Sequence, residues 1–528
     1  MSDFSWEFPY PSQRMPVFAR NVVATSQPLA AQAGLQMLAR GGNAVDAALA
    51  TAIALTVVEP TSNGIGSDAF ALIWEGGKLH GLNASGRSPK AWNSERFAGR
   101  AEMPLRGWDS VTVPGAVSGW VALSERFGKL QFADLFAPAI SYARDGFAVS
   151  PITARAWQVS RKAYVDFAEW NRVFCPNGRA PQVGEVFRSE DHAHTLELIA
   201  ATKGEAFYRG ELAQKIAADA SDKGAALTLT DLDEHRADWV EPIGVEYRGY
   251  TLHEIPPNGQ GLAALIALGI LRFTDIANYP VDGADWLHLQ IEAMKLAFAD
   301  VHRHLSDEIS MEIQARHFLS PEYLQERAKL ISLGEARDPD HGVPAHGGTV
   351  YLTAADASGM MVSFIQSNYY GFGSGVVVPG TGIALQNRGY GFTLEPGHPN
   401  TISGDKRPFH TIIPGFVTKD GEPFLSFGVM GGPMQPQGHL QMMVRTVDAQ
   451  QNPQAASDAP RWRVVQGLEV ALEEGFGVSV IAELQARGHQ IVVEAEGWGF
   501  GGAQLIAKQG EVYCAASDSR KDGAAVGF

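Results

Sequence analysis

His346-Gly-Gly-Thr349-Val-Tyr-Leu-Thr-Ala-Ala-Asp356 puts a hydroxyl residue behind two glycines and at the head of a strand-like run. Residues 350–356 read as a strand, Ala357-Ser358-Gly359 as a turn and residues 360–365 as the returning strand of a hairpin. If the chain is cut just before Thr349, that residue carries a free α-amino group beside its own hydroxyl. An α-amino group titrates at about pH 8, so base and nucleophile then reside in one residue. Taken alone, the stretch also reads as a β-branched residue opening an ordinary hairpin. Residues 332–348, immediately upstream, are rich in Gly, Pro and charge, lack any periodic apolar pattern, and form the most linker-like segment of the chain.

Composition sets the bounds. The 528 residues are 45% hydrophobic and 19% charged, the balance of a soluble globular protein with a large core. Length suggests about three or four domains, or one large α/β unit. The 57 glycines exceed the usual share of about 7% and imply many tight turns. A net charge of −16 without a long Lys/Arg run argues against nucleic acid or an anionic membrane as partner, but not against a small anionic substrate. Cys175 and Cys514, the only cysteines, allow one disulfide but neither a disulfide framework nor a Cys-based metal site. The start of the chain lacks a basic region followed by an apolar run. The longest apolar runs, near 47–58 and 262–271, are too short to span a bilayer. A cytoplasmic protein is expected.

Around the hairpin, Ser26-Gln-Pro28 reads as the cap of a helix ending at Gly41-Gly42, and Asn43 as the cap of an apolar helix ending near Pro60. Residues 70–74 and 78–82 read as paired strands, 115–147 as helical with breaks at Gly128 and Gly146, and 150–240 as mixed but mostly helical. Residues 247–254 read as one strand, 262–273 as a helix, 285–305 as a long amphipathic helix and 436–448 as a helix.

Gly497-Trp-Gly-Phe-Gly-Gly502 matches G-x-G-x-x-G formally, but a strand-like run follows it, so a glycine turn is the better reading. No G-x-S-x-G, Walker A or H-E-x-x-H occurs. His302 and His304 fall on the polar side of a helix end and read as solvated. No metal or cofactor is expected. Gly431-Gly432 follow the apolar strand 424–427 and could present two backbone N–H groups to an oxyanion.

Several segments in order resemble the γ-glutamyltransferases, N-terminal nucleophile hydrolases that cut themselves into two subunits. They include Gly41-Gly-Asn-Ala-Val-Asp-Ala-Ala48, Gly64-Ile-Gly66, Val113-Pro-Gly-Ala-Val-Ser-Gly119, Glu292-Ala-Met-Lys-Leu-Ala-Phe-Ala-Asp300, the Thr349 strand, Phe372-Gly-Ser-Gly375, Lys406-Arg-Pro408 and Gly431-Gly432. The resemblance implies an α/β (α+β) fold, a four-layer αββα sandwich. It implies cleavage between Gly348 and Thr349 into a large chain, 1–348, and a small chain, 349–528, interwoven in one globular unit. By position, Thr349 matches the nucleophile, Ser367 the second hydroxyl beside it, and Gly431 and Gly432 the oxyanion pair.

Departures from the family pattern bear on the substrate. Ser85 stands where glutathione-cleaving members place an Arg, and Arg87 lies two residues on. His410 and Thr411 replace the paired serines, Arg388 and Gly391 replace a Gln and an Asp, and Tyr369 stands at an Asn position with Asn368 adjacent. Losing the Asp removes a partner for an α-ammonium. Arg87, Arg388 and His410, with Asn368, Tyr369 and Thr411 alongside, suit an anion better than a zwitterion. The resemblance and its departures imply release of ammonia from a very small carboxylate-bearing amide, oxamate first. A γ-glutamyltransferase or glutathione hydrolase, or a cephalosporin acylase-like activity, are the alternatives. An uncleaved, non-catalytic binding protein is the alternative outside enzymology. The expected partners are the substrate and the chain's own two subunits, in a homodimer or heterotetramer.

Overall fold

The computed structural model describes residues 13–339, 348–495 and 497–528. Two seven-stranded antiparallel sheets stack face to face. In the first, the strands run in the order Ala524–Gly527, Val22–Thr25, Gly348–Ala355, Met361–Tyr369, Asp68–Glu75, Lys78–Ala84 and Asp238–Val240. In the second, the order is Val17–Ala19, Val512–Ser517, Ala503–Gln509, Glu422–Val429, Gly415–Lys419, Tyr250–Glu254 and Ile243–Tyr247. Helices cover both outer faces, so the expected αββα sandwich is the architecture found.

The period-two alternation of a strand decides which layer each side chain enters. Along Gly348–Ala355, Val350, Leu352 and Ala354 join the core under the helix layer, whereas Tyr351 and Ala355 enter the layer between the sheets. That inter-sheet layer also takes Phe70, Leu72, Ile365, Phe416 and Ile506. Strands covered on both faces need no polar side, and all nine residues of Met361–Tyr369 are buried.

Helix Ala44–Val58 packs under the first sheet and is buried along its whole length. Asn43 and Asp46 form a capping box at its start, a feature of about 1 kcal/mol. The preceding helix, Pro28–Ala39, is capped by Gln27, which accepts from Leu29 N and Ala30 N. The expected cap, Ser26, instead donates to Glu59 at 2.5 Å.

Three further expectations are corrected. Residues 247–254 are not one strand, because Arg248 and Gly249 take left-handed φ of +53° and +84° and fold Ile243–Tyr247 onto Tyr250–Glu254 as a hairpin. Helix Ala284–His304 is buried on nearly all sides instead of being amphipathic, because helix Gly261–Leu271 and the three-stranded sheet around Trp462 and Leu472 close over it. The linker-like 332–348 is anchored through its first part, with Ala336 N donating to Arg487 O at 2.7 Å and Arg337 N to Glu292 at 3.0 Å; residues 340–347 lie outside the described residues. Cys175 and Cys514 are buried free thiols. Among the described residues no helix is long and apolar enough to cross a membrane.

Candidate active site

Thr349 shares the pleat face of Tyr351, so its side chain enters the end of the inter-sheet layer, where it is buried. Pairing with the returning strand is irregular at this point: Gly348 opposes Tyr369 and Val350 opposes Gln366, which places a bulge at the Gly348–Thr349 bond. Tyr369 holds φ at +81°, a left-handed conformation that a bulky residue adopts only where its surroundings force it. Gly348 is tightly enclosed. A Cβ there would sit 3.0 Å from Gly371 N and 3.3 Å from Ser62 Cα, closer than a side chain tolerates without movement of backbone.

The polar groups converge on this bond. Ser367 Oγ donates to Gly348 O at 2.6 Å and accepts from Tyr369 N at 2.8 Å. Thr349 Oγ1 reaches Ser367 Oγ only at 3.4 Å. Gln435 Nε2 donates to Thr349 Oγ1 at 3.3 Å, with its own Oε1 fixed by Ile413 N at 2.9 Å. Ser367 thus contacts the carbonyl oxygen of the peptide bond that precedes Thr349.

Gly431 and Gly432, at φ +117° and +61°, turn the chain between strand Glu422–Val429 and helix Met434–Val447. Their conformations favour glycine. Their N–H groups donate to no acceptor among the described residues. Gln260 Nε2 holds the loop from below, donating to Gly432 O at 2.9 Å and to Thr411 O.

Thr411 links this loop to a buried charged group. Arg388 Nη1 donates to Thr411 Oγ1 at 2.8 Å, and its guanidinium lies over the Tyr369 ring at 4.6 Å. Arg388 Nε and Nη2 are buried with no hydrogen-bond partner among the described residues. Burial pulls the Arg388 pKa down to about 10, with Asp68 opposing the shift. Asp68 opens strand Asp68–Glu75 directly opposite Ser367, so both side chains point into the same inter-sheet layer. Its carboxylate accepts from Gly115 N at 3.0 Å and Gly86 N at 3.2 Å and meets His410 Nε2 at 3.1 Å. Burial pushes the Asp68 carboxyl up to about 7, against the pull of Arg388. Burial, and then Arg388 and Arg407, hold His410 well below its ordinary range. His410 is therefore a neutral imidazole, with its Nε2 proton assigned by the contact to Asp68.

The structure brings together Gly348, Thr349, Ser367, Asn368, Tyr369, Arg388, His410, Thr411, Gly431 and Gly432. Asn368 Oδ1 accepts from Ser67 Oγ at 2.8 Å, while its Nδ2 is buried and unpartnered among the described residues. Tyr369, Tyr370 and Tyr390 form an aromatic cluster beside Arg388. Arg87 is the exception. Its Nη1 is paired with Asp307 at 3.0 Å and bonds Asp405 O at 3.0 Å, in a surface depression shared with Lys90 and Glu234. A guanidinium already engaged by a carboxylate has little left for a substrate, so Arg87 is corrected to a structural arginine. Beside Ser85 lies Arg407, whose Nε donates to Ser85 O at 3.0 Å and whose Nη1 pairs with Asp238 at 2.7 Å.

Sequence reading missed Asp68, Gln435 and Gln260. An ionisable residue opening an apolar strand just after Gly64-Ile-Gly66 was a usable signal for Asp68; nothing in the chain marks the two glutamines. Among the described residues His302 belongs to no cluster that could hold a metal ion, and its carbonyl accepts from His398 Nε2 at 2.8 Å. His288, Glu292 and His489 do converge, with ligand atoms within 4.8 Å of one another. The Lys295 ammonium occupies that cluster, 2.9 Å from Glu292 Oε1, and serves as its cation.

A sequence model of the family described as gamma-glutamyltranspeptidase matches residues 30–528. A glutathione hydrolase-like proenzyme, YwrD, of Bacillus subtilis is 36% identical over 522 residues, covering 96% of this chain and 98% of that one. An oxamate amidohydrolase proenzyme of Klebsiella pneumoniae is 36% identical over 516 residues, covering 95% and 97%. The crystal structure of a cephalosporin acylase from Bacillus halodurans superposes with a TM-score of 0.96 at 50% identity, covering 100% of this chain and 99% of that one. The chain belongs to the gamma-glutamyltranspeptidase family and is, like these relatives, an enzyme of the N-terminal nucleophile type acting on amide bonds.

Proposed function

We propose that this family member is cut between Gly348 and Thr349, and that the freed Thr349 hydrolyses a short carboxylate-bearing amide, with oxamate the first candidate. The observation that carries the reading is Arg388: a buried guanidinium with Nε and Nη2 unpartnered, joined through Thr411 and Gln260 to the Gly432 loop. Buried polar groups in native proteins find partners, and the Nε–Nη2 edge of an arginine is a two-point fork for a carboxylate.

In processing, Thr349 Oγ1 attacks the Gly348 carbonyl and Ser367 supports the oxyanion; the ester so formed is hydrolysed to give residues 1–348 and a free Thr349 amine. In turnover, that amine takes the Oγ1 proton as Oγ1 attacks the amide carbon. The Gly431 and Gly432 N–H groups hold the oxyanion. Collapse expels ammonia, which leaves with a proton from the Thr349 ammonium. Water, deprotonated by the same amine, hydrolyses the oxalyl ester to oxalate. Hydrolysis in the cytoplasm is the setting this reading assumes.

Asp68 favours a second reading, γ-glutamyl hydrolysis or transfer. A carboxylate in the same buried group as Arg388, not ion-paired to it within 4.0 Å, could hold an α-ammonium beside an α-carboxylate. The deciding experiment measures kcat/KM of the processed enzyme for oxamate, glutaryl-p-nitroanilide and γ-glutamyl-p-nitroanilide. A lead for the γ-glutamyl compound by orders of magnitude overturns the first reading in favour of the second.

A further inference from the structure

Gln435 is fully buried in the first turn of helix Met434–Val447. Side chains of a helix lean toward its N-terminus, which carries the Gln435 carboxamide back over the glycine turn and toward the head of strand Gly348–Ala355. Its two ends are told apart by their partners. Oε1 accepts from Ile413 N at 2.9 Å, so the amide –NH2 faces Thr349 Oγ1 at 3.3 Å, an orientation assigned by that network. The helix is gripped one turn on. His439 Nδ1 meets Glu254 Oε1 at 2.6 Å with both side chains fully buried. Gly438 lies so close to strand Glu422–Val429 that a Cβ there would sit 2.6 Å from Val429 Cβ. Residues four apart share a helix face, so the grip on His439 fixes the face from which Gln435 projects.

The oxygens at this end of the site have separate donors. Ser367 Oγ serves the Gly348 carbonyl. Thr349 Oγ1 receives one donor among the described residues, Gln435 Nε2, and points its own proton at Ser367 Oγ at 3.4 Å. A nucleophilic Oγ1 carries charge twice in each turnover. In attack, the Oγ1–C bond forms while the Oγ1 proton passes to the Thr349 amine. In deacylation, a water oxygen bonds to the same carbon, the C–Oγ1 bond breaks, and Oγ1 takes a proton back from the amine that deprotonated the water. Processing has the same two moments: Oγ1 displaces the Thr349 nitrogen from the Gly348 carbonyl carbon, the Oγ1 proton ending on that nitrogen, and then leaves when water hydrolyses the ester. A fixed N–H donor stabilises the charge on Oγ1 each time. Contacts of this kind are often long before substrate binds and tighten in the transition state.

We propose that Gln435 is a further catalytic residue, its carboxamide donating to Thr349 Oγ1 as that oxygen attacks and again as it leaves, in processing and in turnover alike. The inference rests on Thr349 being the nucleophile. Gln435 acts on the enzyme's own oxygen, so its contribution is the same whatever acyl group the substrate brings.

The test follows maturation of the freshly synthesised chain by gel, and turnover of oxamate and of γ-glutamyl-p-nitroanilide, in wild type, Gln435→Met and Gln435→Glu. Gln435→Met keeps the length of the side chain without its N–H. It should slow processing and kcat about ten- to a hundredfold, by the same factor for either amide, with KM changed less than about threefold. Gln435→Glu keeps the acceptor for Ile413 N and carries the test if Gln435→Met does not fold. Ionised, it sets a negative charge against Oγ1; protonated, it offers an O–H in place of the N–H. Burial favours the protonated carboxyl, so the deficit of Gln435→Glu relative to wild type should narrow as pH falls from about 8 to about 5. A purely structural role would lower the melting temperature without that narrowing. Processing needs no added substrate, so failure on both amides counts against the acyl-side reading alone. An intact wild-type chain overturns Thr349 as nucleophile and this inference with it. Processing and turnover by Gln435→Met within about threefold of wild type, or a Gln435→Glu deficit that does not change with pH, overturns the role of Gln435 and leaves Thr349 in place.

Discussion

The nucleophile end and the recognition end of this site are built from different materials. At the Thr349 end the proposed working parts are hydroxyls, glycine amides and the Gly348 carbonyl, all placed by strand pairing and a tight turn. At the Arg388 end they are buried charges: a guanidinium with two idle donors, a carboxyl pushed up to about 7 by burial, and a neutral imidazole between strands. Backbone geometry fixes the first end whatever the substrate. The second end is set by a few side chains whose charge can be altered without disturbing the sheet. Chemistry should thus fail wholesale when the first end is touched, and preference should shift when the second is touched.

The largest expected effect is Thr349→Ala. It should leave a single uncleaved chain by mass spectrometry, with turnover reduced at least about a thousandfold, as when a covalent nucleophile is lost. An uncleaved variant that still turns over would remove Thr349 from the mechanism.

Next comes the contrast between two arginines. Arg388→Ala should lower kcat/KM for a carboxylate-bearing amide about a hundredfold, mainly through KM, the size of a lost charge-assisted pair. Arg388→Lys should recover little, because the planar fork is gone. Arg87→Ala should change kcat/KM less than about threefold, since the pair it breaks is with the buried carboxylate of Asp307 and not with substrate, and its cost falls on stability. Thermal melts of all three separate folding losses from binding losses. Equal effects of Arg87→Ala and Arg388→Ala would erase the distinction drawn between them.

These two ends also differ in how much the chain discloses. Glycine pairs and a strand-head hydroxyl leave local marks, so Thr349, Gly431 and Gly432 could be singled out in the chain, but preferring a nucleophile and an oxyanion pair to a plain hairpin and turn took the resemblance. The sandwich itself was legible only through resemblance. Arg87 and Arg388 looked equivalent in the sequence because pairing is a tertiary fact: Asp307, which occupies Arg87, is 220 residues away. Gln435 comes to Thr349 from 86 residues on, and no local pattern announces it. The hairpin at Arg248-Gly249 was missed for a smaller reason, a non-glycine residue accepting a left-handed turn.

Ser367→Ala comes third and tests whether the nucleophile end is one device or two. The short contact is to Gly348 O at 2.6 Å and the long one to Thr349 Oγ1 at 3.4 Å. Processing should therefore slow about ten- to a hundredfold, followed by gel densitometry of the purified precursor. Turnover by the fraction that does mature should fall less. Equal losses in both would mean that Ser367 acts through Thr349 and not through the scissile carbonyl.

The smallest effect is a pH dependence, and its sign separates the two readings of the recognition end. Asp68 is neutral below about pH 7 and charged above it. For an anionic amide, ionising Asp68 sets a negative charge near the carboxylate that Arg388 holds, so KM should rise a few-fold as pH passes through 7. For a substrate carrying an α-ammonium, the same ionisation creates the ammonium's partner, and KM should fall instead. Asp68→Asn removes the inflection in either case, but it should lower KM for the anion at pH 8 and raise it for the zwitterion. The substitution also reports on folding. A carboxyl whose folded pKa is raised contributes stability below its unfolded pKa and loses it as pH climbs toward 7, so Asp68→Asn should flatten that decline in melting temperature. A KM inflection near pH 7 that survives Asp68→Asn would move the titration elsewhere and leave the recognition end without its acid.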